Sequence, residues 1–238
     1  MIVWHELFTT DVEAAKAFYT ELLGAEIESA PMGDTSYDML KKGERSHAGI
    51  VQNPSEGAIP SHWYPYVHTG DVGAATDQAV AAGAQLIHGP QEIPDMLTFS
   101  VLGGTQHETF GLLSGGQGAD APQGVFAWDE LHAADADGAI EFYSGLAGWT
   151  AAPMMDGYWI FNEGETGVAG LSNQGADHGG FWLPYLAADV DASHAKAKEL
   201  GAEEMMAPES MPEVGRFSIL RDPTGAAFGL FEPPADRA

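Results

Sequence analysis

Glu6 and Glu130 occupy matching Trp-x-Glu-Leu segments, Trp4-His5-Glu6-Leu7 and Trp128-Asp129-Glu130-Leu131. In a β-strand, alternate side chains share a face. Trp4, Glu6 and Phe8 then lie on one face, with Val3, His5 and Leu7 on the other. Trp128, Glu130 and His132 share a face in the second copy. A carboxylate held against aromatic walls is a stronger base than one in water. The chemistry it suits is removal of a proton next to a carbonyl. In the competing reading, both glutamates accept from backbone amides or pair with an arginine, and the residues alone leave both open. Tyr37, Tyr64, Tyr158 and Trp182 join Trp4, Phe8 and Trp128 as candidates to line an aromatic ligand pocket. Trp159 and Phe161 read equally well as pocket or as sheet packing. Arg216 either pairs with Asp222 or Glu213 or holds an anionic ligand.

Other chemistries are poorly supported. There is no cysteine, so thiolate catalysis and thiolate metal sites are excluded. No phosphate loop, dinucleotide fingerprint or Gly-x-Ser-x-Gly elbow occurs. The nine histidines are scattered, with no His-x-His or His-x₃-His pair inside an expected element. A nonstandard metal site would have to draw on His5, His68 or His107; His107-Glu108 reads as a solvated loop edge. Thirty-five acidic residues against nine basic ones give a net charge of −26. No basic cluster exists to displace phosphate counterions, so nucleic acid and anionic membranes are not expected partners. No membrane span or secretory signal is evident, and the expectation is a cytoplasmic protein with a solubilising acidic surface.

The elements that must position these residues repeat along the chain. After each Trp-x-Glu-Leu come Asp11 or Asp135, Phe18-Tyr19 or Phe142-Tyr143, and Gly24 or Gly148, at an offset of 124. A second pair of segments matches Trp63-Tyr64-Pro65-Tyr66 with Trp182-Leu183-Pro184-Tyr185, Asp71 with Asp189, and Gly111 with Gly229. From Asp to the closing Gly (Gly24, Gly83, Gly148 and Gly201) the spacing is 13, 12, 13 and 12 residues. The four modules are therefore odd–even pairs. Each Asp suits a helix N-cap, and Gly suits the left-handed position that ends a helix. Val12, Ala15, Phe18, Tyr19 and Leu22 form one apolar helix face, on which Tyr19, like Tyr143, reads as a core residue with a tethered hydroxyl. Short β-prone runs follow each helix, and Asp222-Pro223-Thr224-Gly225 reads as a turn between two strands. The expected class is α+β, four tandem βαβββ modules in two domains, 1–114 and 124–234, joined by a linker at 115–123. The modules span about 1–52, 62–114, 124–172 and 180–234.

Asp11, Phe18-Tyr19 and Leu23-Gly24, with Asp135, Phe142-Tyr143 and Asp222-Pro223-Thr224-Gly225, resemble the vicinal oxygen chelate superfamily of glyoxalase, bleomycin-resistance and ring-cleaving dioxygenase proteins. The likeness covers nearly the whole chain and is closest to two-domain bacterial glyoxalase-like members. It implies glyoxalase-like domains whose cupped sheets each hold a small ligand. It also implies metal-ligand positions, which fall here on Trp4, Trp128, Tyr64 or Pro65, and Leu183 on the opening strands, and on Gly111 and Gly229 on the closing strands. None of these side chains binds a divalent ion. Gly104-Thr105-Gln106-His107 replaces the Asp-Pro-Thr-Gly turn in the first half.

Three functions follow as expectations. The first is a bleomycin-resistance-like protein that binds a small apolar or aromatic molecule in a metal-free cup, with no cofactor. The second is a glyoxalase-like lyase or isomerase with Glu6 or Glu130 as base. The third is a non-catalytic scaffold. The chain is expected to be a monomer or a homodimer.

Overall fold

A computed structural model of the chain describes residues 1–32, 35–55, 58–115, 124–176 and 179–234. The expected linker, from residue 116 to 123, and His178 lie outside the described residues. The first module comprises β1 (Ile2–Thr9), α1 (Val12–Leu23), β2 (Glu26–Met32), β3 (Thr35–Lys42) and β4 (Arg45–Gln52). The second comprises β5 (His62–His68), α2 (Val72–Ala81), β6 (Gln85–Ile93), β7 (Leu97–Gly103) and β8 (Thr109–Gly115). The third comprises β9 (Phe126–His132), α3 (Ala136–Ala147), β10 (Thr150–Met155), β11 (Tyr158–Glu163) and β12 (Thr166–Ser172). The fourth comprises β13 (Phe181–Ala187), α4 (Val190–Glu199), β14 (Glu203–Met211), β15 (Gly215–Arg221) and β16 (Ala227–Glu232).

The class is α+β, four βαβββ modules in two eight-stranded sheets. Strand order is β2-β3-β4-β1-β5-β8-β7-β6 in one sheet and β10-β11-β12-β9-β13-β16-β15-β14 in the other. Each opening strand pairs in parallel with the last strand of its own module, as β1 does with β4 and β13 with β16. The helix is the crossover that such a parallel pair requires.

Local chemistry explains the helices. Asp11, Asp71, Asp135 and Asp189 are all N-caps, each accepting from the backbone N–H three residues on at 3.0 Å. Gly24 and Gly148 end α1 and α3 in the left-handed conformation, φ 60° and 68°. α2 and α4 are capped by Ala82 and Leu200, one residue before Gly83 and Gly201. The buried face of α1 is Ala15, Phe18, Tyr19 and Leu22.

Packing divides the chain into two compact units. One holds α2 and α3, from Met1–Trp4, Tyr64–Pro122 and Trp128–Leu183; the other holds α1 and α4, from His5–Trp63, Gln123–Ala127 and Pro184–Ala238. Sheet pairing thus joins modules one with two and three with four. Core packing joins one with four and two with three.

The same polar device sits at the centre of each unit. In the α1/α4 unit the Tyr19 hydroxyl donates to Asp222 Oδ2 at 2.8 Å and accepts from Trp63 Nε1 at 2.9 Å. In the α2/α3 unit the Tyr143 hydroxyl donates to Glu108 Oε1 at 2.9 Å and accepts from Trp182 Nε1 at 3.2 Å. Both tyrosines are fully buried, so their hydroxyls need these partners. Burial, then the adjacent carboxylate charge, pushes both phenols well above their usual range.

Two expectations are corrected here. Glu108 is not solvated; it is 1 % exposed. Trp182 is not in a pocket; its ring lies in the core, and its N–H is taken by Tyr143. The turn that departs from Asp-Pro-Thr-Gly keeps that turn's geometry. Gly104 N–H donates to the Glu108 carbonyl at 2.7 Å, as Asp222 N–H does to the Ala226 carbonyl at 2.8 Å. A Cβ on Gly104 would fall 2.1 Å from Glu108 Oε1. The carboxylate has therefore moved four residues along the chain, and glycine clears the space that it enters.

Candidate functional site

The candidate site is on the α2/α3 unit, where β9 and β11 bring Trp128, Glu130, His132 and Tyr158 together. Glu130 faces Gly170 across the parallel β9–β12 pair. A Cβ at Gly170 would lie 2.1 Å from the Tyr158 hydroxyl and 3.0 Å from Trp128 Nε1. Glycine is what lets these groups converge beside Glu130. Trp128 Nε1 donates to the Tyr158 hydroxyl at 3.2 Å, and the Glu130 carboxylate lies near enough to act on that hydroxyl. Burial, then the Glu130 charge, raises Tyr158 so far that it stays protonated throughout the neutral range.

On the other side of the carboxylate, His132 Nε2 lies 2.8 Å from Glu130 Oε1. That nitrogen is buried and makes no hydrogen bond, and the pair is an ion pair only when the imidazole is protonated. His132 Nδ1 lies 2.8 Å from the Gln174 carbonyl, which assigns it a proton. Burial lowers His132, but Glu130 and that carbonyl together outweigh it, and the imidazole is raised above 6.5. Phe181 stacks on the His132 ring, centroids 4.5 Å apart and planes 5° from parallel. The Glu130 and His132 side chains each keep 12 % exposure.

The α1/α4 unit carries a related arrangement. Glu6 faces Gly49, and a Cβ there would meet the Tyr37 hydroxyl at 2.0 Å. Glu6 is buried, whereas Phe8 and Tyr37 are half-buried. Phe8 meets His62 edge-on at 5.7 Å. Histidine and phenylalanine have thus changed places: Phe8 stands where His132 does, and His62 where Phe181 does.

The remaining candidates are placed elsewhere. Trp4 is half-buried in its strand. Tyr64 is 6 % exposed and packs on Tyr66, ring centroids 5.5 Å apart. Arg216 pairs with neither Asp222 nor an anion site. Its guanidinium grips Asp191 at 2.9 and 2.7 Å and donates to Ser210 Oγ at 3.0 Å, because β15 register sets it opposite Ser210. A cavity of about 370 Å³ beside it is also lined by Glu213 and Glu232, which would repel an anion. Trp159 and Phe161 pack on the core side of β11.

Sequence reasoning missed Tyr66, Tyr185 and Phe181. Tyr66 faces Gly111 and Tyr185 faces Gly229 in the parallel pairs. A Cβ on either glycine would lie 2.1 Å from the tyrosine ring. The signal was present: both the tyrosine and the glycine recur in the repeat.

Comparison with known proteins agrees with this architecture. Residues 1–111 match the family described as the glyoxalase/bleomycin resistance protein/dioxygenase superfamily, and residues 126–231 match a glyoxalase-like domain. A Mycobacterium bovis protein, provisionally named glyoxylase CFP32, is 30% identical over 97% of this chain and 94% of its own length. The chain belongs to the glyoxalase/bleomycin resistance protein/dioxygenase superfamily. The anthracycline biosynthesis protein DnrV of Streptomyces peucetius is 31% identical over 45% of this chain and 46% of its own. The Mn(II)-bound glyoxalase of Novosphingobium aromaticivorans shares the fold, with a TM-score of 0.64 at 14% identity over 97% of this chain and 81% of that one.

The positions that the resemblance assigns to metal ligands carry side chains that are not donors to a divalent ion. On the closing strands these are Gly111 and Gly229, where a Cβ would lie 2.1 Å from the Tyr66 and Tyr185 rings. Among the described residues no three His, Asp or Glu side chains converge to hold an ion. No described helix is long and apolar enough to cross a membrane.

Proposed function

We propose that this superfamily member binds a small aromatic molecule, without a metal, on the β9–β12 face. The observation that carries the reading is the Trp128–Tyr158–Glu130–His132 cluster, still partly open while the tyrosines opposite Gly111 and Gly229 close the metal positions. Aromatic walls with a few fixed polar groups are the usual make-up of a small-molecule site. The name of the Streptomyces peucetius relative ties it to anthracycline biosynthesis, and anthracyclines are planar aromatic compounds. Elemental analysis of protein purified without chelator tests the metal-free part. The expected result is far less than one transition metal per chain, with thermal shifts caused by aromatic ligands unchanged by EDTA. A stoichiometric metal lost to EDTA together with ligand binding would overturn it.

A second reading is a glyoxalase-like lyase or isomerase with Glu130 as base. It is favoured by the closeness of Tyr158 and His132 to that carboxylate, and by the glyoxylase name of the full-length relative. A carboxylate so held can take a proton from carbon next to a carbonyl and return it to the neighbouring atom. Glu130→Gln is then expected to lower turnover of an α-oxoaldehyde adduct about 10²–10⁴-fold. Unchanged turnover in both Glu130→Gln and Glu6→Gln removes this reading.

A further inference from the structure

We infer that α2 and β6 form the contact face of a homodimer, with a second copy of this chain as the partner. These elements are separate from the β9–β12 face, and nothing about them depends on the ligand proposed there. At an offset of 118, α2 corresponds to α4 and β6 to β14, as Asp71 does to Asp189 and Gly111 to Gly229. The two pairs of elements are built alike, but their ionised side chains differ. α4 and β14 carry two lysines, Lys196 and Lys198, and five acids, Asp191, Glu199, Glu203, Glu204 and Glu209. α2 and β6 carry Asp77 and Glu92.

The exchange is clearest at one pair of positions. In the fourth module Lys198 Nζ on α4 lies 2.8 Å from Glu204 Oε2 on β14. The same positions in the second module hold Val80 and Leu86. Val80 is 45 % exposed, Leu86 42 % and the adjacent Ile87 58 %. Around them Ala81, Ala82 and Gln85 are exposed and uncharged. Asp77, one helical turn before Val80, limits the patch on that side. A group of large apolar side chains left in water marks an interaction surface.

Addition of a partner strand is not the mode of contact. β6 is an edge strand, but its register shifts between Leu86 and His88 and again between His88 and Gln91. Pro90 also offers no N–H. Such breaks blunt an edge against main-chain pairing. What the face offers is apolar side-chain area, which favours association when water leaves it.

Charge selects the partner. The chain carries a net −26, so two copies repel one another through most of their surfaces. A two-fold contact sets one patch against the same patch. On α4 and β14 that would press acids against acids and strip water from ion pairs, at a net cost. On α2 and β6 it sets Val80, Leu86 and Ile87 against their own copies. A basic partner would gain nothing from this face and would be drawn to the acids elsewhere.

Sedimentation velocity of the full-length chain at about 1 to 100 µM, in low and high salt, tests the assignment. The wild type is expected to dimerise. Its association should tighten about threefold or more as NaCl rises from about 0.05 to 0.5 M, because screening relieves repulsion between the acidic copies. Val80→Lys/Leu86→Glu writes the ion pair of the fourth module into the second. It is expected to weaken association about tenfold or more with an unchanged circular dichroism spectrum. Ile87→Gln, a milder change at an exposed position, is expected to weaken it as well. A wild type that is monomeric at about 100 µM in high salt overturns the inference. So does a dimer that both variants leave intact, and so does one that dissociates as salt rises, since charged groups would then hold it. Ligand binding enters none of these readouts, so a failure of the small-molecule reading and a failure of this face are told apart.

Discussion

Glu108→Ala is expected to destabilise the chain by about 2–4 kcal/mol, measured as the shift in a denaturant midpoint at unchanged slope. The alanine leaves the buried Tyr143 hydroxyl without its acceptor and the Gln106 N–H without Glu108 Oε2 at 3.0 Å. It also opens a cavity beside Tyr143, a side chain with no exposure. The second half indicates a rescue. Asp222 performs the same task from the position that matches Gly104, accepting from Tyr19 and from the Thr224 N–H. Gly104→Asp in the Glu108→Ala background is therefore expected to recover a good part of the loss. In the wild-type background Gly104→Asp should destabilise, because its Cβ would meet the Glu108 carboxylate at 2.1 Å. Opposite signs in the two backgrounds are a coupling that only spatial overlap produces. A pH series adds a check. Burial raises Glu108 above its ordinary 4.5, against the pull of the Tyr143 hydrogen bond. A raised carboxyl favours the native state fully below the unfolded value, and that contribution is lost as pH rises through the folded value. The wild-type chain should therefore gain on Glu108→Gln as pH falls towards 4.5.

Gly229→Ala and Gly111→Ala are expected to cost about 1–3 kcal/mol each, although each adds only a methyl group. The new Cβ would sit 2.1 Å from Tyr185 Cδ1 in one case and 2.1 Å from Tyr66 Cδ1 in the other. Neither ring is free to move away, since Tyr66 is 3 % exposed and Tyr185 is 6 % exposed. Thermal melts of Gly229→Ala, Tyr185→Ala and the double variant measure the effect. If ring overlap is the cause, Gly229→Ala costs markedly less once Tyr185 is alanine. Additive losses would show that the glycine is needed for another reason. Glutamate at either position, the side chain that a metal-binding superfamily member would carry there, should be worse tolerated than alanine.

The residues differ in how far their roles could be read in advance. The helix caps were legible because a cap is a contact between an aspartate and an amide three residues away. The shared face of Trp128, Glu130 and His132 was legible because strand alternation has a period of two. Trp182 was misassigned: alternation says which neighbours share a face, not which face meets the core. Glu108 was misread because a carboxylate next to a loop looks solvated until Tyr143, 35 residues on, is seen against it. Arg216 went astray for a similar reason, as its partner Asp191 lies on another element, 25 residues away.

What the chain determines by itself is therefore the module: four copies of strand, capped helix and three strands, with a carboxylate and aromatics on one face of each odd opening strand. These features rest on local periodicity and on contacts of a few residues, which sequence spacing encodes directly. Tertiary structure alone decided that core packing pairs modules one with four and two with three, and that Glu108 does for Tyr143 what Asp222 does for Tyr19. It also decided that the rings of Tyr66 and Tyr185 lie against Gly111 and Gly229 and that Tyr158 and His132 both lie beside Glu130. Each depends on which surfaces meet through space, and the Tyr19–Asp222 bond spans 203 residues of chain. Burial then sets the energetic worth of such contacts, because a hydrogen bond or charge that is minor in water becomes costly to lose once water is excluded.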